Sequence, residues 1–268
     1  MDIAEIIKRD GILTKQEQLI AVKTNPHWIK FIQDPDQETV SIIAVQKRPS
    51  VILYIKNPSK DVQLAAVRNS GYVIRHIENP DKDVQLAAVM EDAYAIEHIQ
   101  NPDKDVQLAA VRNCRDAIEH IKNPDKEVQL AAVTQNGYLI QYIENPDKEV
   151  QLAAIGNDAC AIECIKNPDK DVQLAAVSRH GSVIEYIENP DEDVQLAAVK
   201  LDGTAIIVIK TPTKDAQLVA VKQCGHTIQF IENPDKDVQL AAVQQDIESL
   251  VCIKNIHPDV IQYIKDNF

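Results

Sequence analysis

The sequence is poor in aromatics, glycine, cysteine and positive charge. Of 268 residues 4% are aromatic, seven are glycine and five are cysteine, and 28 basic side chains stand against 41 acidic ones. The net charge of −13 offers no field that would draw in phosphate backbones or anionic lipid, so neither nucleic acid nor a membrane surface is an expected partner. No uncharged apolar run approaches the roughly 18–20 residues of a membrane span. The opening stretch, MDIAEIIKRDG, has acids at Asp2 and Glu5 and no apolar signal core, which points to a cytoplasmic location. Five cysteines without paired spacing, in a chain of this length, read as reduced thiols rather than as a disulfide framework. HExxH, CxxC, GxSxG and a glycine-rich phosphate loop are all missing, so no enzyme activity, cofactor or metal is expected. Apolar residues, in contrast, make up 45% of the chain, ample for a folded protein.

What the chain has in abundance is repetition. The string QLAAV or a near variant begins at Gln63, Gln85, Gln107, Gln129, Gln151, Gln173, Gln195, Gln217 and Gln239, always 22 residues apart, with looser copies at Gln18 and Ser41. Val260 lies 22 residues after Val238, so the register continues into the last segment. About eleven copies and a degenerate twelfth cover the chain without a linker. A single domain over 1–268 is therefore expected, with an N-terminal capping unit at 1–25, repeats over 26–254 and a C-terminal capping helix at 255–268.

One unit shows the logic. Val84 to Val89 is a dense apolar cluster around Ala87 and Ala88, and alanine is the best helix former and a poor strand residue. Ahead of it runs a column of Ser59, Asp81, Asp103, Asp125, Asp147, Asp169, Asp191, Thr213 and Asp235, the residue types that cap a helix N-terminus with a side-chain oxygen. Asp83 and its equivalents follow in the first turn, against the positive end of the helix dipole. The preceding Asn79-Pro80 joins a residue that tolerates the left-handed conformation to one that cannot continue a helix. A second, shorter helix ends in Ile74-x-x-Ile77 and its copies, because a spacing of three is one-sided on a helix and two-sided on a strand. The turn between the two helices is marked by Gly71, Gly137, Gly181, Gly203 and Gly225. A leucine-rich repeat would need alternating leucines on a strand, and the alanine-rich, helix-capped cluster does not fit one.

The expected fold is all-α: an α-solenoid, or superhelix, of about eleven to twelve 22-residue helix-turn-helix repeats. On a helical wheel of about 100° per residue, Gln85 falls within the apolar arc, so the repeated glutamine is expected to point inward and to satisfy backbone groups of a neighbouring repeat. Asp83 and Asp105 fall on the far side, in an exposed acidic row. His76, His98 and His120 share a column that continues as Tyr142, Cys164, Tyr186, Val208, Phe230 and Cys252, the signature of a packing slot rather than of a metal site. Cys160 and Cys164, four apart, lack a second ligand pair and read as small hydrophobes.

Surface identity is expected where the repeats differ, in the five residues after each fixed core. Arg68, Asn69, Met90, Glu91, Arg112, Asn113, Arg115, Arg179 and His180 are the candidate partner-binding residues there, together with Asp83 and Asp105 of the acidic row.

NPDKDVQLAAV resembles the second helix of a HEAT unit, with a capping Asp before a Val and an Ala pair, and the whole chain is similar to short HEAT-like or leucine-rich-variant repeats. It departs from the HEAT pattern in unit length and in carrying Gln where Arg usually follows the Val. Such strings resemble repeats in uncharacterised bacterial and phage proteins, which implies a prokaryotic or viral source. The function expected is a non-catalytic scaffold presenting an acidic, curved surface to a protein partner with a basic surface, the chain itself being monomeric or weakly self-associating. One alternative is a phage-type counter-defence inhibitor that mimics nucleic acid at a nucleic-acid-binding enzyme. The other is a protein that sequesters a small ligand, against which the scarcity of aromatics counts.

Overall fold

A computed structural model of the chain describes residues 13–267. Twelve α-helices and eleven 3-10 helices alternate among them, from Lys15–Thr24 to Pro258–Asn267, and no strand occurs among the described residues. The chain is an α-solenoid with a 22-residue period. It divides into two compact units, residues 1–135 and 136–268. Within each, successive α-helices pack on one another and on the adjacent 3-10 helices, except that the last, Pro258–Asn267, packs on the preceding α-helix. Of the expected N-terminal cap, residues 1–12 lie outside the described residues and the remainder is the helix Lys15–Thr24. No described helix is long and apolar enough to cross a membrane.

The corner between repeats is built as its residues demand. Asn57, Asn79, Asn101 and Asn123 in the first unit, and Asn145, Asn167, Asn189 and Asn233 in the second, all have φ between 46° and 51°. Asparagine enters this region more readily than other side chains. Proline follows, and then the capping residue accepts a hydrogen bond from the N–H three positions on. Ser59, Asp81, Asp103, Asp147, Asp169, Asp191, Thr213 and Asp235 all do so, at 3.0–3.4 Å.

The second helix differs in kind from an α-helix. Gly71–His76 and its copies are six-residue 3-10 helices, and Ile77 is already extended. A 3-10 helix has three residues per turn, so side chains three apart eclipse. This aligns Ile74 with Ile77 and turns both to the core. The glycines sit at the first position of these helices, not in a loose turn, and none adopts positive φ. At two of them the reason is close approach: a Cβ on Gly71 would stand 2.3 Å from the carbonyl oxygen of Ala88, and one on Gly225 would stand 2.6 Å from that of Ala242.

Each repeat contributes a small core set. Val84, Ala88 and Val89 from the α-helix and Ile74 from the 3-10 helix are all buried, and the same positions are filled in the other repeats. Four of the repeated glutamines tie this core to the next repeat. Gln195 is 4% exposed; its Nε2 donates to Pro190 O (3.0 Å) and Thr211 O (3.4 Å), and its Oε1 accepts from Thr213 N (2.8 Å). Gln239 does the same with Pro234 O, Asn255 O and His257 N, at 2.9–3.1 Å. In the first unit Gln18 joins Leu13 O to Asp36 N, and Gln107 joins Pro102 O to Asp125 N. The expected inward amide bonded to a neighbouring repeat is found at these four glutamines; Gln63, Gln85, Gln129, Gln151, Gln173 and Gln217 are half-buried and donate to the proline carbonyl of their own corner.

Two substitutions test this packing. Ala88→Leu inserts volume where Ala88 is fully buried, with an expected cost of about 1–3 kcal/mol in urea unfolding; unchanged stability would refute the close-packed stack. Gln195→Glu loses both donors and sets a carboxylate against two carbonyls. It is expected to cost more than about 2 kcal/mol and more than Gln195→Ala.

Candidate functional site

The expected site residues fall into three groups. Asp83 and Asp105 are exposed but not free. Lys60, at the start of the preceding α-helix, bridges Asp81 (3.0 Å) and Asp83, and Lys82 bridges Asp103 (3.1 Å) and Asp105. Lys104 reaches Glu127 at 2.8 Å. The second unit repeats the scheme with Lys148, Lys170 and Lys214, each on a pair of aspartates, and Lys236 on Asp259. The acidic row is a ladder of lysines paired with one or two carboxylates of the next repeat. Glu192, standing where the other repeats carry lysine, interrupts it.

Asn69, Glu91 and Asn113 lie at the ends of their α-helices and reach back one repeat. Asn69 Nδ2 donates to Gln46 O (2.6 Å), and Asn113 Nδ2 donates to Val89 O (2.9 Å) and Met90 O (3.2 Å), satisfying carbonyls at the end of the preceding helix. The Glu91 carboxylate accepts from the N–H of Gly71. Gln223 performs both tasks in the second unit, on Val199 O, Lys200 O and Gly203 N. Gln245 Oε1 likewise accepts from Gly225 N at 2.6 Å, whereas the same column holds Arg179 and Leu201 in other repeats, both exposed.

Arg68, Met90, Arg112, Arg115, Arg179 and His180 are exposed, Met90 to 70%. His180 occupies the position before the 3-10 helix, where Asp92, Asn136, Asp158, Asp202 and Asp246 accept from the N–H two residues on, at 2.9–3.1 Å. Arg48, Ser70, Cys114 and Cys224 share this position with His180 and make no side-chain cap bond, so the capping role is confined to the Asp and Asn copies. No cluster gathers these exposed residues into a catalytic arrangement.

The histidine column is packed, as expected. Tyr72 meets His98 edge to face with ring centroids 4.9 Å apart, and Tyr94 meets His120 at 5.5 Å. Burial, then the Arg75 charge and His98, hold the His76 pKa below its ordinary value, so it is neutral at pH 7. Cys160 and Cys164 stay thiols, their pKa values raised first by burial and then by Asp158 and Glu163 respectively. All five cysteines are free. His226, Asp246 and Glu248 bring three potential ligand atoms within 4.8 Å of one another. Asp246 is already engaged there, capping Glu248 N at 2.9 Å and facing His226 at 3.4 Å.

What the residue-by-residue reading missed is the exposure of the rings. Phe31, Tyr54, Tyr142, Tyr186 and Phe230 occupy the last position of their 3-10 helices and are 38–50% exposed. Tyr72 and Tyr94 are exposed as well, and no described aromatic residue lies in the core. The chain matches no known protein family, no curated protein and no solved structure.

The ladder sets the pH dependence of stability. Asp81, Asp103 and Asp191 are held below the ordinary 3.8 first by the backbone N–H they cap and then by lysine. Lys60, Lys82 and Lys170 are raised above 10.5 first by the aspartate of the next first turn and then by the capping aspartate. The carboxylates stabilise above their unfolded pKa, and that contribution is lost as pH falls through the lower folded value. The lysines stabilise below their unfolded pKa and lose the contribution as pH rises through the higher folded one. A melting temperature that is level between about pH 5 and pH 9 and falls on both sides is expected. Added salt should shrink the alkaline fall more than the acid one, since the cap hydrogen bonds are short-ranged. A flat profile above pH 10.5 would refute the ladder.

Proposed function

We propose that this protein is a non-catalytic scaffold that binds another protein through the face carrying the 3-10 helices. The observation that carries this is where the aromatic side chains lie. Isoleucine, valine and alanine fill the core, while the rings stand half in water. Exposed rings contribute little to folding, and Tyr, Phe and Trp are the residues that anchor protein interfaces. Hydrogen bonds and ion pairs between repeats occupy many of the fixed polar columns, so the varied outward positions and the rings are left to meet a partner. A net charge of −13 favours a partner with a basic surface, drawn in at long range.

The unit fits best among short HEAT-like or leucine-rich-variant-like repeats of the kind found in bacterial and phage proteins. Free, protonated thiols suit a cytoplasmic location. The nucleic-acid mimic is the weaker reading, because lysines neutralise the carboxylates that would imitate phosphates. A small-ligand protein is weaker still, since the grooves on the 3-10 face are open rather than enclosed.

The full chain as bait in a bacterial lysate, washed at low and high salt, is expected to hold one stoichiometric protein. A bait with Tyr54, Tyr72 and Tyr94 changed to alanine should fold and lose it. A partner retained by this bait, and still retained when Tyr142, Tyr186 and Phe230 are changed to alanine as well, would move the contact to another face, and a clean wild-type bait would refute the scaffold.

A further inference from the structure

The second unit carries a period that stacking does not require. Its six 3-10 helices end at Tyr142, Cys164, Tyr186, Val208, Phe230 and Cys252. Two residues beyond stand Glu144, Lys166, Glu188, Lys210, Glu232 and Lys254. A ring goes with Glu and a small side chain with Lys, without exception, every 44 residues. The alternation reaches the core behind this face, where Leu139, Val183 and Thr227 alternate with Ala161, Ala205 and Ser249, all buried.

Three open grooves of 680, 530 and 660 Å³ follow the same period. Each has a ring and its Glu on one wall and a small residue and its Lys on the other: Tyr142 and Glu144 with Cys164 and Lys166, then Tyr186 and Glu188 with Val208 and Lys210, then Phe230 and Glu232 with Cys252 and Lys254. Of the lysines in this unit, Lys148, Lys170, Lys214 and Lys236 are engaged in the ladder. None of the six alternating charges has an ion pair among the described residues. The face is balanced in charge, half-apolar and uncommitted.

We infer that this face of the second unit pairs with the same face of a second copy of the chain, antiparallel, about a two-fold axis crossing it between Glu188 and Lys210. The reading that exposed rings form a docking surface underlies this inference, which names the partner for one unit. Under that symmetry the repeat order reverses while each column meets itself. Glu188 faces the partner's Lys210, Lys166 faces the partner's Glu232, and Glu144 faces the partner's Lys254. Tyr186 meets the partner's Val208, Phe230 the partner's Cys164, and Tyr142 the partner's Cys252, so every ring faces a small side chain. In the neighbouring column Glu185 meets the partner's Ile207, Glu163 the partner's Gln229, and Gln141 the partner's Val251, so no like charges face each other. An axis passing through a repeat, instead of between two, would set Glu on Glu. The contact is isologous and closes at two copies.

Sedimentation velocity of the full chain under reducing conditions, over a wide concentration range at low salt, tests this. A dimer of the 29.9 kDa chain is expected. Glu188→Lys and Lys210→Glu should each weaken it at least about tenfold, because two-fold symmetry turns two ion pairs into two like-charge contacts. Combining both swaps restores opposite charges across the axis and should restore the dimer. Thermal melting of each variant shows that the fold is intact. The inference is overturned by a wild-type chain that stays at monomer mass at every concentration, by a dimer indifferent to the single swaps, or by failure of the combined variant to recover. A monomeric chain that still captures a partner through the rings of the first unit would overturn this inference alone. A dimer that captures nothing else would overturn the scaffold alone.

Discussion

Every feature of this protein follows from helices too short to stand alone. An isolated α-helix of ten residues is marginal in water and a six-residue 3-10 helix more so, so no unit holds its shape without the next. The polar side chains of the repeat are accordingly used between units. Gln195 and Gln239 close the corner of the following repeat, and Lys82 and Lys170 reach the carboxylates of the next first turn. Asn113 and Gln223 reach back to the carbonyls at the end of the preceding helix. Forward and backward bonds from one helix fix both its spacing and its rotation against its neighbours. The columns that serve such bonds recur every 22 residues in most repeats, with Glu192, Arg179 and Leu201 as interruptions.

The same constraint sorts the surface. Positions engaged in bridging are held by the stack, and a partner would have to break internal bonds to use them. Positions outside that network are free to differ. On the α-helix side these include Arg68, Met90 and Arg112, which are isolated and exposed. On the 3-10 side of the second unit they are rings standing two residues from Glu144, Glu188 and Glu232, which make no ion pair among the described residues. Within each unit, an already ordered face that carries rings loses little conformational entropy when it is covered, which is why the 3-10 side is the better candidate for recognition.

The corner was legible because each of its residues has a nearly unique reason to be there. Asn-Pro-Asp spells a left-handed residue, a chain that cannot stay helical and a cap, and all three are found. The glutamine was legible from the wheel. The 3-10 character of the second helix was not, because a spacing of three between Ile74 and Ile77 is compatible with either helix type. The roles of Asn69, Glu91 and Asn113 were hidden by variation: amide and carboxylate interchange looks like surface drift until the backbone groups one repeat back are seen. The lysine ladder was hidden by distance, since Lys60 and Asp83 are 23 residues apart while Lys82 is adjacent to both Asp81 and Asp83 in sequence. Ring exposure was hidden because a column holding His, Tyr, Cys and Val reads as a tolerant packing slot, and for the half-buried histidines it is one.

Symmetry explains why the period of the face matters. A stack whose outward columns repeated every 22 residues would present like charge to like charge in any two-fold self-pairing, whichever repeat the axis crossed. Doubling the period removes that frustration for one class of axis only, those passing between a Glu repeat and a Lys repeat. An even number of alternating repeats then leaves none unmatched when the axis is central. The second unit has six, in strict alternation from Glu144 to Lys254. In the first unit the same column reads Gln33, Lys56, Glu78, Gln100 and Lys122, so the alternation fails at Gln33 and Gln100 and no central axis matches every charge. Two units built on one repeat therefore differ in the charge pattern of this face. That difference resides in a column the stack does not constrain.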